Sequence, residues 1–328
     1  MTRIIYLLFM VWYATSSVAT ISSRIILHGG VVRPQDLLVT QLVLSLAYLH
    51  LLGILGIVDL KISKEHISAL KHFLLSISVV YVTGFLLLQK GLQMASASFA
   101  VTCRGFEPVI TCVFSLLCLS ERVHAIQWFA VFLIIVGVGL CAGSDKSWSI
   151  GGLLVLVLCN ISFSLRSLIV KVLHTRCSDL DLSHLKGVQI YYATCFVGSI
   201  IMLCLNMSEV FVLSLASKQA FLRWSQENYL LFAVNSICFT VYNVSSYILL
   251  GKIQLSYHAV GNAVRQGFVI LASIIFVGST LTADNTIGIV CVVAGAALYA
   301  SSKTVGQVSS LMNTKTSAPS SELQVLPS

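Results

Sequence analysis

Charge is what this 328-residue chain has least of: Asp, Glu, Lys and Arg together make up 10% of it. A soluble surface needs roughly a quarter to a third of its residues charged. With a mean hydropathy of +0.93, two soluble domains of ordinary size are excluded, and the chain reads as a polytopic membrane protein. Other absences narrow the chemistry. Ten cysteines are present, mostly inside apolar stretches, with no CxxC and no Cys/His cluster at zinc spacing. Neither a disulfide framework nor a metal site is indicated. HExxH is missing, no pair of buried carboxylates is indicated, and no Ser/His arrangement is placed for nucleophilic work. The expectation is that the chain is not an enzyme and uses no cofactor. The formal charge is +8, yet the basic residues stand singly in short connections. No basic stripe with interleaved aromatics occurs, which argues against nucleic acid as a partner.

What the chain does have is long apolar runs. Stretches able to cross roughly 30 Å of hydrocarbon fall near 4–27, 36–58, 73–91, 97–118, 124–142, 149–171, 188–206, 228–250, 257–279 and 285–301. The fold class expected is therefore all-α, with ten transmembrane helices. Placing the N-terminus in the cytosol puts eleven Lys and Arg on that side. Six lie opposite: Arg24, Arg33, Lys90, Lys146, Lys218 and Arg223. The positive-inside rule then makes both termini cytosolic. Arg3, the apolar run after it and Ser17-Val18-Ala19 resemble a cleavable signal. Because the apolar pattern continues to Leu27, an uncleaved first span is the preferred reading. No Arg/Ser-rich transit-type extension precedes it. Residues 303–328 are Ser/Thr/Lys-rich without apolar period and read as a flexible cytosolic tail.

Five spans and five more suggest duplication, with halves at 1–145 and 146–302. Gly137-Val138-Gly139-Leu140-Cys141-Ala142-Gly143-Ser144 closes the fifth span. Gly295-Ala296-Ala297-Leu298-Tyr299-Ala300-Ser301-Ser302 closes the tenth with Gly, Leu, Ala and Ser in register. Arg104 in the fourth span and Arg265 in the ninth share nearly the same offset. An odd number of spans per half would set the halves in opposite orientation, as two inverted five-helix repeats.

Three arginines, Arg104, Arg166 and Arg265, lie inside spans, and Glu107 is the acid at comparable depth. An isolated Arg at mid-bilayer costs about 2.5–3.5 kcal/mol on insertion scales, and guanidinium cannot deprotonate to escape. Arg104 and Glu107 are three apart and share a helical face; Pro108 follows, where a kink would free carbonyls toward a cavity. Glu107 either neutralises Arg104 or exchanges partners between states, a gating or charge-balance role. Arg166 either bonds to backbone carbonyls or adds to a positive cavity. Tyr242, among Asn243, Ser245 and Ser246, offers an O–H and a flat apolar face. In the ninth span His258, Gly261, Asn262 and Arg265 share a face, with Gln266 adjacent. Gly261 leaves room for close approach. Three permanent cations against one carboxylate leave about two positive charges unmatched, the charge of a phosphate dianion, and Arg presents the bidentate fork that suits it. The partner expected is a phosphorylated small molecule, exchanged for a counter-anion across a bilayer, through Arg104, Tyr242, Asn262, Arg265 and Gln266.

At these residues the chain resembles the triose-phosphate translocator family of the drug/metabolite transporter superfamily, which also contains nucleotide-sugar carriers. The resemblance runs from Trp12-Tyr13 to Ser302. It is carried by Arg104…Glu107-Pro108, Leu119-Ser120-Glu121, Asn160-Ile161-Ser162-Phe163 with Arg166-Ser167, Tyr242-Asn243, and His258-x-Val260-Gly261-Asn262-x-Val264-Arg265. It implies ten helices in two inverted halves and antiport by rocking around a central site. The span-four and span-nine cations, here Arg104 and Arg265, would bind the substrate phosphate, with Tyr242 on the same ligand; Arg166 would be a family hallmark. Plastid members usually carry Lys where Arg104 and Arg265 stand, Arg where Gln266 stands, and a polar residue near Leu88. These departures favour a Golgi or ER membrane over a plastid envelope. Two substrate readings remain: a sugar phosphate or triose phosphate exchanged for inorganic phosphate, and a nucleotide sugar exchanged for its monophosphate.

Overall fold

A computed structural model describes residues 2–28, 30–62, 64–95, 97–107, 109–110, 113, 125–144, 149–179, 187–210, 215–250, 255–277 and 282–316. All regular structure among them is helical. The helices are α1 (Thr2–Leu27), α2 (Pro34–Ile54), α3 (Lys64–Met94), α4 (Ala97–Arg104), α5 (Ala125–Ser144), α6 (Ile150–Asp179), α7 (Gly187–Val210), α8 (Leu215–Glu227), α9 (Tyr229–Leu250), α10 (Leu255–Val277) and α11 (Ala283–Thr316). Among the described residues, six segments are long and apolar enough to span a membrane, within α1, α2, α3, α6, α7 and α9. Three shorter apolar stretches, Ala125–Cys141, Val264–Ser273 and Thr286–Tyr299, lie in α5, α10 and α11. The chain is a multi-pass membrane protein.

The expected fourth span is only partly described, and Pro108 and Leu119-Ser120-Glu121 lie outside the described residues. What is visible is a break. The helix α4 ends at Arg104, and the N–H groups of Gly105 and Phe106 bond the carbonyls of Thr102 (2.9 Å) and Cys103 (3.0 Å), three residues back. Such tighter turns keep residues i and i+3 eclipsed, so Glu107 still comes round to the side of Arg104. Gly105 permits this: the Val292 side chain of α11 fills the place a Cβ would occupy. At the other end of the chain, α11 continues past the expected boundary at 302 to Thr316.

Helix pairing follows the small residues, since lipid gives apolar side chains no reason to leave it and close backbone approach must supply the attraction. The helices α3 and α6 pack together where Gly84 receives the Phe163 ring and Gly91 receives Leu156, while the Cys159 thiol donates to the Gly84 carbonyl at 3.3 Å. Other packed pairs are α1 with α9, α2 with α7, α1 with α10, α4 with α6, α4 with α10, and α5 with α11. In the last, a Cβ built at Gly137 would sit 2.5 Å from the Gly288 carbonyl oxygen, and one at Gly288 would sit 2.6 Å from that of Gly137. Ile126, Phe129, Phe132 and Ile135 of α5 are exposed, as suits a face turned to lipid.

A polar cluster ties α1, α2, α3 and α9. The Asn235 amide donates to the Ala19 carbonyl (3.0 Å) and to the Ser22 and Ser23 hydroxyls (both 2.9 Å). Its oxygen accepts from Gln41 at 2.8 Å, and Gln41 accepts in turn from Gln89 at 2.6 Å. These interhelical amide bonds fix register where apolar packing alone would not. Outside the spans, α8 rests on α9 through Trp224, whose ring lies 5.2 Å from that of Phe232.

Replacing Gly137 with Leu is expected to force α5 from α11 and lower the thermal unfolding midpoint or the yield of monodisperse protein. Gly139→Ala, where nothing lies within 4 Å of a built Cβ, is expected to be neutral or slightly stabilising, by about 0.5–1 kcal/mol. Equal behaviour of the two variants in fluorescence-detected size exclusion would contradict this packing.

Candidate functional site

The α4 break, α6 and α10 bring their charged side chains to one region, where α9 adds Tyr242 and α1 and α3 close around it. On α10, Asn262 and Arg265 are one turn apart and act together: the Arg265 Nε donates to Asn262 Oδ1 at 3.0 Å, and Asn262 Nδ2 donates to Glu107 Oε2 at 3.1 Å. Glu107 is thereby joined to Arg265 through an amide that uses both its donor and its acceptor. Arg265 is 6% exposed and Gln266 3%, so these polar groups are inside the bundle. Gln266 donates to the Arg104 carbonyl at 3.3 Å, while Asn160 of α6 donates to the Cys103 carbonyl at 2.7 Å. Two side-chain amides thus take up carbonyls near the end of α4.

The arginines are held mainly on rings. The Arg104 guanidinium lies 4.5 Å from the Phe163 centroid and the Arg166 guanidinium 5.2 Å from the same centroid. Arg166 also approaches Tyr81 (5.9 Å) and Tyr247 (6.0 Å), and Arg265 sits 5.7 Å over Trp12. The negative π face lets a guanidinium stay charged without water, at about 0.5–2 kcal/mol per pair. Phe163 is positioned from behind by Phe85, edge-on at 5.0 Å, and Phe85 contacts Phe239, which contacts Tyr242. Arg104 Nε is buried and has no hydrogen-bond partner among the described residues, nor has Gln266 Oε1. A narrow cavity beside Tyr242 is lined by Thr20, Ser23, Gln41, Leu88 and Gln89.

All seven of the residues singled out in the sequence, Arg104, Glu107, Arg166, Tyr242, Asn262, Arg265 and Gln266, fall in this region. Gly261 is used by the protein itself, its close approach taken by the Phe9 ring of α1. The side chain of His258 lies outside the described residues. Missed from the sequence were the rings that carry the cations. Phe163 closed the Asn160-Ile161-Ser162-Phe163 motif three residues before Arg166 and Trp12 opened the stretch of resemblance, but neither was given the role of carrying a cation; Tyr81 had no signal. Among the described residues no group of three or more His, Cys, Asp or Glu side chains could hold a metal ion.

The chain is 23% identical over 298 residues to the phosphoenolpyruvate/phosphate translocator 1 (chloroplastic) of Arabidopsis thaliana, covering 89% of this chain and 70% of that protein. It is 24% identical over 309 residues to a non-green plastid triose phosphate/phosphate translocator of Brassica oleracea var. botrytis, covering 93% and 75%. With the xylulose 5-phosphate/phosphate translocator of Arabidopsis thaliana the identity is 23% over 252 residues, covering 73% and 56%. A solved crystal structure with 14% identity aligns over 90% of this chain and 95% of its own, with a TM-score of 0.50, a likeness of fold alone. Residues 3–300 match the Triose-phosphate Transporter family, the stretch that holds every residue of the arginine site. The chain therefore belongs to the Triose-phosphate Transporter family and is a transporter, not an enzyme.

Proposed function

We propose that this chain is a secondary-active antiporter that exchanges a phosphorylated organic anion, a sugar phosphate or triose phosphate, for inorganic phosphate across an organelle membrane. The observation that carries the reading is the meeting of Arg104 and Arg166 on the Phe163 ring, with Arg265 joined through Asn262 to Glu107, the one carboxylate among the site residues. The surplus is about two positive charges, and a phosphate dianion offsets it. Its oxygens suit the terminal nitrogens of Arg265 and the buried Arg104 Nε, where an unmet donor costs roughly 1–3 kcal/mol. Tyr242, Asn262 and Gln266 orient the same ligand. Glu107 and Arg166 set the charge balance, Glu107 through its link to Asn262. The names of the relatives, each a phosphate translocator, support this substrate class.

With more cations than carboxylates among its residues, the unloaded site resists closure, so the helices rock only with an anion between them. That favours obligatory exchange. Two inverted five-helix repeats, at 1–145 and 146–302, would supply the motion. Helix pairing supports such a relation: exchanging α1 with α6, α2 with α7, α3 with α9, α4 with α10 and α5 with α11 turns the α3–α6 pair into α9–α1. It turns α1–α10 into α6–α4, and returns α2–α7, α4–α10 and α5–α11 to themselves. The bias of basic residues, eleven against six, favours an orientation with both termini in the cytosol. The Golgi or ER expectation draws no support from the relatives, whose names are chloroplastic.

Counter-exchange into proteoliposomes tests the reading. Labelled sugar phosphate is expected to enter vesicles preloaded with inorganic phosphate and not those holding UMP, GMP or buffer. Uptake of nucleotide sugar only against a nucleoside monophosphate would replace the sugar phosphate by that second substrate class. Equal uptake into buffer-loaded vesicles would end the antiport proposal. Arg104→Ala and Arg265→Ala are each expected to abolish exchange while inserting normally. Arg265→Lys keeps the charge, loses the fork and the Asn262 contact, and should raise KM by about tenfold or more. Normal exchange by both alanine variants would remove the anion site.

Phe163→Leu keeps an apolar side chain against Gly84 but removes the π face under two guanidiniums. The expected result is a several-fold rise in KM, as roughly 0.5–2 kcal/mol of cation–π attraction implies, with a modest fall in the unfolding midpoint, since the buried ring also packs against Gly84 and Phe85. An unaltered KM would mean that the ring only fills space.

A further inference from the structure

A second cavity, of about 450 Å³, lies away from the arginine site. It is bounded by the start of α2 (Arg33, Pro34, Gln35), the last turns of α3 (Leu86, Leu87, Lys90, Gln93) and the end of α7 (Met202, Leu205, Asn206). All three are helix ends, which puts the cavity at one margin of the spans. On α3 its lining falls at steps of one, three and three, whereas Phe85, Leu88, Gln89 and Leu92 line the cavity beside Tyr242. The helix therefore separates the two spaces, and this one is peripheral. Nothing in the exchange mechanism uses it.

Its charge differs from that of the central site. Arg33 lines it but is tied to Asp36 through two bonds of 2.8 Å, Nε to Oδ2 and a second guanidinium nitrogen to Oδ1. That pair is internally neutral. Lys90 is exposed at the rim and adds one positive charge. The next cation at this end, Arg24, points at the Leu92 and Gln93 carbonyls of α3 (2.6 and 3.3 Å) and does not line the cavity. A surplus of one matches a singly charged phosphodiester. The dianion inferred for the central site would leave a charge unmet here.

Shape and surroundings agree with that charge. The amides of Gln35, Gln93 and Asn206 stand beside the cations, and Asn206 Oδ1 is buried with no hydrogen-bond partner among the described residues. Leu86, Leu87 and Met202 form an apolar wall below. At its edge Leu205 of α7, which also lines the cavity, is exposed and offers an apolar way out toward the bilayer. One cation at the margin, amides beside it and an apolar path into the bilayer are the parts a glycerophospholipid meets.

We propose that this cavity binds an anionic phospholipid, its phosphodiester against Lys90 and the Arg33–Asp36 pair, its head-group hydroxyls on the amides and its acyl chain along Leu205. The lipid would brace α2, α3 and α7 against one another at one end of the bundle.

The test is thermal unfolding of the full chain, purified in uncharged detergent and titrated with phosphatidylglycerol, phosphatidylcholine or inorganic phosphate. Phosphatidylglycerol is expected to raise the midpoint more than phosphatidylcholine. Lys90→Gln should weaken its apparent affinity about fivefold, the contribution of one lysine near an anionic head group. Leu86→Trp, which fills the cavity, should abolish the shift. Since Lys90 lies outside the central site, Lys90→Gln should bind inorganic phosphate there as the parent does. No shift with phosphatidylglycerol, or an equal shift in the parent and both variants, would overturn the site. Phosphatidylcholine matching phosphatidylglycerol would overturn the requirement for an anionic lipid. A Lys90-dependent shift with inorganic phosphate alone would overturn the lipid in favour of a soluble anion.

Discussion

Guanidinium groups that cannot shed their protons have been carried into a bundle meant for lipid, and most of the interior is arranged around that fact. Each arginine has been given a ring: Phe163 for Arg104, Phe163 with Tyr81 and Tyr247 for Arg166, Trp12 for Arg265. An aromatic face solvates a cation while leaving its N–H groups directed elsewhere. A carboxylate partner for each would have neutralised the charge and left nothing for a ligand. Among the described residues of the site one carboxylate is present, and it reaches Arg265 through Asn262. The surplus charge is thus kept, and its cost is lowered without being cancelled.

Keeping rings in position needs small residues in the helices behind them. Gly84 lets Phe163 press against α3, and Phe85, the next residue on that helix, meets the ring edge-on. Gly105 lets α11 and Gln266 come against the end of α4, where Gln266 takes the Arg104 carbonyl. The Gly137–Gly288 approach brings α5 to α11. Close backbone packing, buried amides and cation–ring contacts are therefore linked parts of one arrangement, from glycine position to helix distance to the placement of charge.

The two regions proposed to take anions differ in how their charge is compensated. Around Tyr242 the arginines are shared among rings and one acid, so the field is strong and enclosed. At the outer cavity Arg33 is already matched by Asp36 and only Lys90 adds charge, so the field is weaker and open to the side. Strong enclosed charge suits a small polar dianion that must be stripped of water; weak lateral charge beside an apolar wall suits a molecule that stays in the membrane.

By itself the sequence determined that the chain is helical and crosses a membrane, because charge is scarce and apolar runs are long. It also marked the ionisable residues that the helices bring into one region, because Arg104, Glu107, Arg166 and Arg265 are conspicuous against apolar neighbours, and an ion there carries a cost that demands a reason. Tertiary structure decided which aromatics serve them. Trp12 and Trp128, or Phe163 and Phe276, look alike in a sequence where both faces of a helix are apolar, yet Trp12 is 2% and Trp128 52% exposed, Phe163 2% and Phe276 78%. Lipid and protein interior favour the same side chains, so hydropathy has no period that separates the inward face from the outward one. Only the meeting of helices far apart in the chain, Trp12 with Arg265 and Asn262 with Glu107, could make that distinction.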